Sequence, residues 1–343
     1  MLPTDLDITA IWENYQPTRL VELPELARLA GVRRVFVKQE GERPLGNFKV
    51  LGGMVAGLRA LARTAGVATL QDLRRVDRGS LPRLICASDG NHGLAVATAA
   101  RHVGTKASIY LPTGVSRIRA DRIEACGGDI VWTLGTYDDA VRDAAAAASR
   151  GEGLLIPDTS SDPNDVVVRD VMAGYALLTR ELVAQFRDQV MDRPSHLFVQ
   201  AGVGGLAAAM AEGLRDSMRE PGKILVVEPE SAACVAQALD AGHPVHISGD
   251  LHTCAEMLSC GLASASALEV LRRHDAQGIL VGEEQLQTAV SVMRDSGGPL
   301  TTPSGAAGLA GFLHVVARHE LRAAHRLSPE SCVLLIASEG PVK

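Results

Sequence analysis

Leu197-Phe198-Val199-Gln200-Ala201-Gly202-Val203-Gly204-Gly205-Leu206 reads as a short apolar strand running through a glycine-rich turn into an alanine-rich helix. Successive backbone N–H groups in such a turn, at the positive end of a helix, form a cradle for an anion, above all a phosphate. The run sits in a chain where strand-like and helix-like segments alternate. Apolar, β-branched runs at 34–38, 84–87, 107–111, 129–133, 197–200, 224–228 and 332–337 predict strands. Most are continuously apolar, the pattern of strands covered on both faces. Helical patterns fill the intervals at 49–65, 93–102, 116–126, 137–150, 163–186, 206–219 and 304–319. This alternation predicts an α/β fold with mainly parallel sheets. The polar stretch 71–83 reads as a surface loop.

Composition narrows the classes of function. The chain has 343 residues, 46% hydrophobic and 22% charged, with a net charge of −6. Nothing in that balance points to nucleic acid or to a membrane surface as a partner. The longest near-uncharged apolar stretch, 306–317, is too short to span a bilayer. The first residues are acidic and show no signal-peptide pattern. The six cysteines are scattered without a C-x-x-C pair, and the ten histidines include no H-E-x-x-H. Neither a metal site nor a disulfide framework is expected, and reduced thiols in a cytoplasm are the simplest reading. Of 34 basic residues only five are lysines: Lys38, Lys49, Lys106, Lys223 and Lys343. Chemistry that needs a deprotonable amine has few places to occur, because arginine does not supply one.

Lys49 follows the turn Pro44-Leu45-Gly46-Asn47-Phe48 and opens a helix. A lysine is disfavoured at that end by the helix dipole. It is either a solvated side chain or an amine held for Schiff-base chemistry. Ala87-Ser88-Asp89-Gly90-Asn91-His92-Gly93 lies between a strand and a helix. Its polar residues are helix caps or ligand contacts at a strand's C-terminal end, where α/β proteins bind ligands. In Pro157-Asp158-Thr159-Ser160-Ser161-Asp162-Pro163, Asp162 and Pro163 read as an N-cap and first helical residue. Asp158 stands upstream of that cap and is either a turn residue or a site residue. Gly202, Gly204 and Ala207 also fit G-x-G-x-x-A, with Glu228 near the position of a ribose-binding acid. A nicotinamide oxidoreductase is therefore a competing reading, and the owner of the phosphate stays open on spacing alone.

Taken in order, these segments resemble the pyridoxal-phosphate enzymes of fold type II. They are Pro17-Thr18-Arg19-Leu20, Asn47-Phe48-Lys49, Asp89-Gly90-Asn91-His92-Gly93, the Gly202–Gly205 turn and Ser338. Within that group the chain is most similar to diaminopropionate ammonia-lyase. The similarity is carried by Asp89, by Asp158-Thr159-Ser160, by Val227-Glu228-Pro229-Glu230 and by Met257-Leu258-Ser259-Cys260-Gly261-Leu262-Ala263. Gly46-Asn47 and Ser264-Ala265-Ser266 depart from the family pattern.

The resemblance implies a larger α/β domain from 1–48 and 158–343, a smaller one from 49–157, and pyridoxal 5'-phosphate in the cleft between them. It implies that Lys49 bears the cofactor as a Schiff base and that Gly202, Val203, Gly204 and Gly205 bind its phosphate. Asn91 would meet the 3′-oxygen and Ser338 the ring nitrogen. Asp89 and Asp158 would be bases serving opposite enantiomers. The implied reaction is α,β-elimination of ammonia from 2,3-diaminopropionate to pyruvate. A serine or threonine dehydratase and a β-replacement enzyme share the same machinery. A small amino-acid substrate and a homodimer complete the expectation.

Overall fold

Runs of aliphatic residues with no break for turn formers become strands here, and Ala/Leu-rich segments between them become helices. The computed structural model describes residues 8–12, 15–88, 90–188 and 192–341. Its strands are β1 (Leu20–Glu22), β2 (Arg34–Gln39), β3 (Leu84–Ala87), β4 (Ala107–Pro112), β5 (Gly128–Thr133), β6 (Leu154–Leu155), β7 (His196–Gln200), β8 (Lys223–Pro229), β9 (Gln277–Val281) and β10 (Cys332–Ala337). They form a six-stranded sheet, β1-β2-β10-β7-β8-β9, and a four-stranded sheet, β5-β4-β3-β6. Every pairing is parallel except β1 with β2. Parallel pairing needs a crossover between strands, which the intervening helices supply.

The chain divides into two compact units. One contains Lys49–Ser160 and Asn164–Tyr175, joined by the N-terminal segment, and holds the four-stranded sheet. Pro17–Phe48, Ser161–Pro163 and the chain from Ala176 onward form the other, which holds the six-stranded sheet.

In the larger unit β10 is buried at every position and lies between β2 and β7. The core against this sheet includes Val35, Phe198, Leu225, Phe312 and Leu335, all inaccessible to solvent. Phe198 and Phe312 meet edge to face with centroids 5.4 Å apart, a favoured geometry for aromatic quadrupoles. In the smaller unit the helix Lys49–Ala65 packs on Asn91–Val103. Gly53 permits the approach, since a Cβ there would lie 2.6 Å from that of Ala95.

Two readings from the sequence need correction. The stretch 71–83 is not all loop: a helix runs Leu70–Arg75, and the Thr69 hydroxyl caps it by accepting from Asp72 N at 3.1 Å. Asp162 does not cap the long helix, which begins at Val166. Asp165 does so, its Oδ1 accepting from Val167 N at 2.9 Å and Val168 N at 3.1 Å.

Upstream of the Lys49 turn, the larger unit buries four charges. Lys38 Nζ donates to Glu181 Oε2 at 2.7 Å and to Thr18 O at 2.8 Å. Arg43 bridges Glu181 and Glu40 with contacts of 2.6–3.0 Å. All four side chains are at most 3% exposed. Burial pulls the Lys38 pKa down, while Glu181 and Glu40 pull it up. Removing one member of such a set strands its partners without solvent. Glu181→Ala is therefore expected to lower unfolding stability by about 3–5 kcal/mol. Urea denaturation checks this, and an unchanged midpoint would show that the network does not carry this segment.

Candidate active site

Lys49 is the first residue of its helix and Asp158 follows β6 by three residues. The Lys49 ammonium donates to Asp158 Oδ2 at 2.5 Å. The turn that carries Asp158 is fastened to the parallel sheet: Ile156 N donates to Ile85 O at 2.7 Å. On the other Asp158 oxygen, Tyr137 Oη donates to Oδ1 at 2.8 Å. Tyr137 opens the helix Tyr137–Ser149, directly after the capping Thr136 at the C-terminal end of β5.

Asp158 is 7% exposed and the Lys49 side chain 21%. Burial works to raise the Asp158 pKa. The Lys49 charge, the nearby His92 and the hydrogen bonds from Lys49 and Tyr137 outweigh it and hold the carboxyl well below the usual range. His92 is buried, and burial lowers its pKa against the pull of Asp158. Its Nε2 lies 2.8 Å from Ile156 O, so that nitrogen carries a proton and donates to the carbonyl. The Ser88 hydroxyl accepts from Gly90 N at 2.9 Å and Gly93 N at 2.8 Å, capping the helix that Asn91 opens. Asp89 lies outside the described residues.

In the larger unit the glycine turn joins β7 to the helix Gly205–Leu214. Gly204 adopts a φ of +94°, a conformation that favours glycine. A Cβ on Gly202 would lie 3.0 Å from Cys260 Sγ and 3.2 Å from Met257 O. The N–H groups of Gly202, Val203 and Gly204 meet no acceptor among the described residues, and that of Gly205 is at the helix start. These converging neutral donors fit a phosphate.

Ser338 follows β10, the strand beside β7. It is 4% exposed, and its hydroxyl oxygen accepts from Gln200 Nε2 at 2.8 Å. The same residue's carbonyl accepts from Phe48 N at 3.0 Å, while Asn47 bridges Glu339. The residue preceding Lys49 is thus tied to the segment bearing Ser338. A lysine amine in the smaller unit, and a phosphate cradle and a buried hydroxyl in the larger, are kinds of group that suit pyridoxal phosphate.

Glu228 is not placed to bind a ribose. It is fully buried, and its carboxylate accepts from Val235 N at 2.8 Å and Ala236 N at 2.7 Å. The nicotinamide reading loses its acid to this internal cap. Tyr137 and Gln200 were not singled out by the sequence reading. Each had a signal: Gln200 is a lone amide ending an apolar strand, and Tyr137 follows a strand end, where α/β proteins bind ligands. Among the described residues no cluster of His, Cys, Asp or Glu is placed to hold a metal, and no helix is long and apolar enough to cross a membrane.

Comparison with known proteins gives the cofactor class. Residues 11–339 match the family model described as pyridoxal-phosphate dependent enzyme. The chain is 33% identical over 345 residues to diaminopropionate ammonia-lyase of Escherichia coli strain K12, covering 95% of this chain and 85% of that one. It is 30% identical to the biosynthetic L-threonine dehydratase of the same strain, covering 93% of this chain and 57% of that one. The crystal structure of holo diaminopropionate ammonia-lyase from Escherichia coli superposes with a TM-score of 0.87 at 29% identity, covering 98% of this chain and 87% of that one.

Burial raises the Glu228 pKa from 4.5 to about 8, against the two backbone donors. The folded state therefore holds this proton more tightly than the unfolded one. The stabilisation is complete below the unfolded value of 4.5 and is lost as pH rises through about 8. Wild-type stability is expected to fall across that window by an amount that Glu228→Gln lacks. Urea midpoints measured at both ends check this, and equal pH dependence in the two proteins would contradict it.

Proposed function

Because the chain belongs to the pyridoxal-phosphate dependent enzyme family and is a fold type II elimination enzyme of that family, we propose that its substrate is 2,3-diaminopropionate. On this reading it releases the β-amine as ammonia and yields pyruvate and a second ammonia. The pairing of Lys49 with the buried Asp158 is the observation that carries it.

Bound here, pyridoxal phosphate supplies an electron sink for the pair left at the substrate's α-carbon when the α-proton is removed. Lys49 holds the cofactor covalently. The N–H groups of Gly202, Val203, Gly204 and Gly205 bind its phosphate without a cationic side chain. Asn91 would meet the 3′-oxygen and Ser338 the ring nitrogen.

Asp158 takes the α-proton of one enantiomer and Asp89 that of the other. The electrostatics suit Asp158 to this task. Its carboxyl is held weakly basic chiefly by the Lys49 ammonium, against burial that would make it a stronger base. With Lys49 neutral that restraint would go and burial would dominate. Tyr137 keeps the carboxylate oriented through Oδ1 while Oδ2 faces the amine. The β-ammonium leaves as neutral ammonia and needs no proton from Lys49. A carboxylate at position 89 suits a substrate with a cationic β-ammonium better than one with a β-hydroxyl. The enzyme acts on this reading as a homodimer in the cytoplasm.

Purified, cofactor-loaded enzyme is expected to release pyruvate from D- and L-diaminopropionate and little product from L-serine or L-threonine. Asp158→Asn is expected to cut kcat for one enantiomer by at least about 100-fold, the usual scale of a lost general base, and to spare the other. Product from the hydroxy amino acids alone would make it a dehydratase. No product from any of the four would point to a replacement reaction with a second substrate. Equal loss for both enantiomers would remove the role given to Asp158.

A further inference from the structure

Gln200 is 2% exposed and ends β7, one residue before the glycine turn. Its Nε2 lies 3.1 Å from Ser304 O, 3.1 Å from Gly305 O and 3.0 Å from Ile336 O. Those three atoms are carbonyl oxygens and only accept, so they set which way the amide faces. Turning it over would press Oε1 against all three. Oε1 itself has no partner, a buried cost that the carbonyls impose.

The consequence falls on Ser338. Nε2 has no lone pair to offer, so at 2.8 Å from it the Ser338 oxygen accepts. The Ser338 hydroxyl proton is thereby turned away from Gln200, and among the described residues it finds no acceptor. A buried O–H without an acceptor favours a ligand atom that accepts and disfavours one that donates.

We infer that Gln200 is a positioning residue that makes Ser338 a hydrogen-bond donor and thereby selects the cofactor's unprotonated ring nitrogen over the protonated one. This rests on the proposed placement of Ser338 at that nitrogen. A pyridine nitrogen without its proton accepts from Ser338; a pyridinium would present N–H to an O–H whose own proton has nowhere to go. Such a ring is a weaker electron sink. It suffices when the β-substituent leaves as the α-proton is lost, and it does not favour reactions that hold a long-lived carbanion.

The test is the 15N chemical shift of enzyme loaded with pyridoxal phosphate labelled at the ring nitrogen. Wild type is expected to show an unprotonated, hydrogen-bonded nitrogen. Gln200→Met frees the three carbonyls to accept the Ser338 proton, and its resonance is expected to move toward the pyridinium position. Ser338→Ala, which deletes the donor, is expected to move it the other way, toward free pyridine. If Ser338→Ala leaves the resonance unmoved, the placement of Ser338 is wrong and this inference falls with it. If Ser338→Ala moves it and Gln200→Met does not, the placement stands and the role of Gln200 is overturned. Gln200→Asn, which withdraws the amide by one methylene, replaces the methionine variant should that not fold. A protonated nitrogen in wild type overturns the inference with no variant needed.

Discussion

A lysine at the first position of a helix places a positive charge on the positive end of the helix dipole. The contact between Lys49 and the buried Asp158 compensates both charges at once. Much of the smaller unit serves this contact. Parallel pairing of β3 with the two-residue β6 brings the Asp158 turn to the sheet. His92 accompanies it, its ring bonded to the Ile156 carbonyl two residues before Asp158. Tyr137, at the end of β5, holds the other oxygen. The result is a carboxylate whose basicity depends on the protonation of one neighbouring amine.

On the proposed reading the larger unit solves a different problem, binding an anion and a heterocycle with few charges. Its glycine turn offers backbone N–H groups, whose donation costs no side-chain ordering and brings no counter-charge. Ser338 and Gln200 stand at the C-terminal ends of adjacent parallel strands, the place where open α/β sheets take ligands. Full charges in this unit are kept elsewhere, as in the Lys38, Glu40, Arg43 and Glu181 network. That network lies in the segment leading to the Lys49 turn, where a rigid base matters.

Much of this was legible in the sequence because burial on both faces writes itself as continuous apolar runs. β2, β3, β4, β7, β8 and β10 were read that way, β5 by its Ile130-Val131 run although it is an edge strand with Asp129 and Trp132 exposed, and the helix Lys49–Ala65 was placed to the residue. What escaped had a physical reason. β1 and β6 have three and two residues, too few to show a period. β9 is an edge strand with Gln277, Gly278 and Leu280 exposed, so it lacks the buried-strand signature. The glycine turn, Lys49 and Asp158 were visible by local rules, whereas Ser338 was visible only through the family resemblance. Tyr137 and Gln200 were not, since their importance lies in partners 21 and 138 positions away. Glu228 misled because a strand-end acid serves a ribose or an internal helix start equally well on spacing alone.

The central claim is that Lys49, alone among the lysines, bears pyridoxal phosphate. Lys38 is committed to Glu181 and sealed from solvent, and the remaining three lysines belong to none of the motifs that define the site. The direct measurement is borohydride reduction of the cofactor-loaded enzyme, followed by proteolysis and peptide mass spectrometry. A single pyridoxyl-lysine is expected, on the peptide containing Asn47-Phe48-Lys49, and none in Lys49→Ala. A pyridoxyl group on any other lysine, or none on any peptide of enzyme that has bound the cofactor, would contradict it.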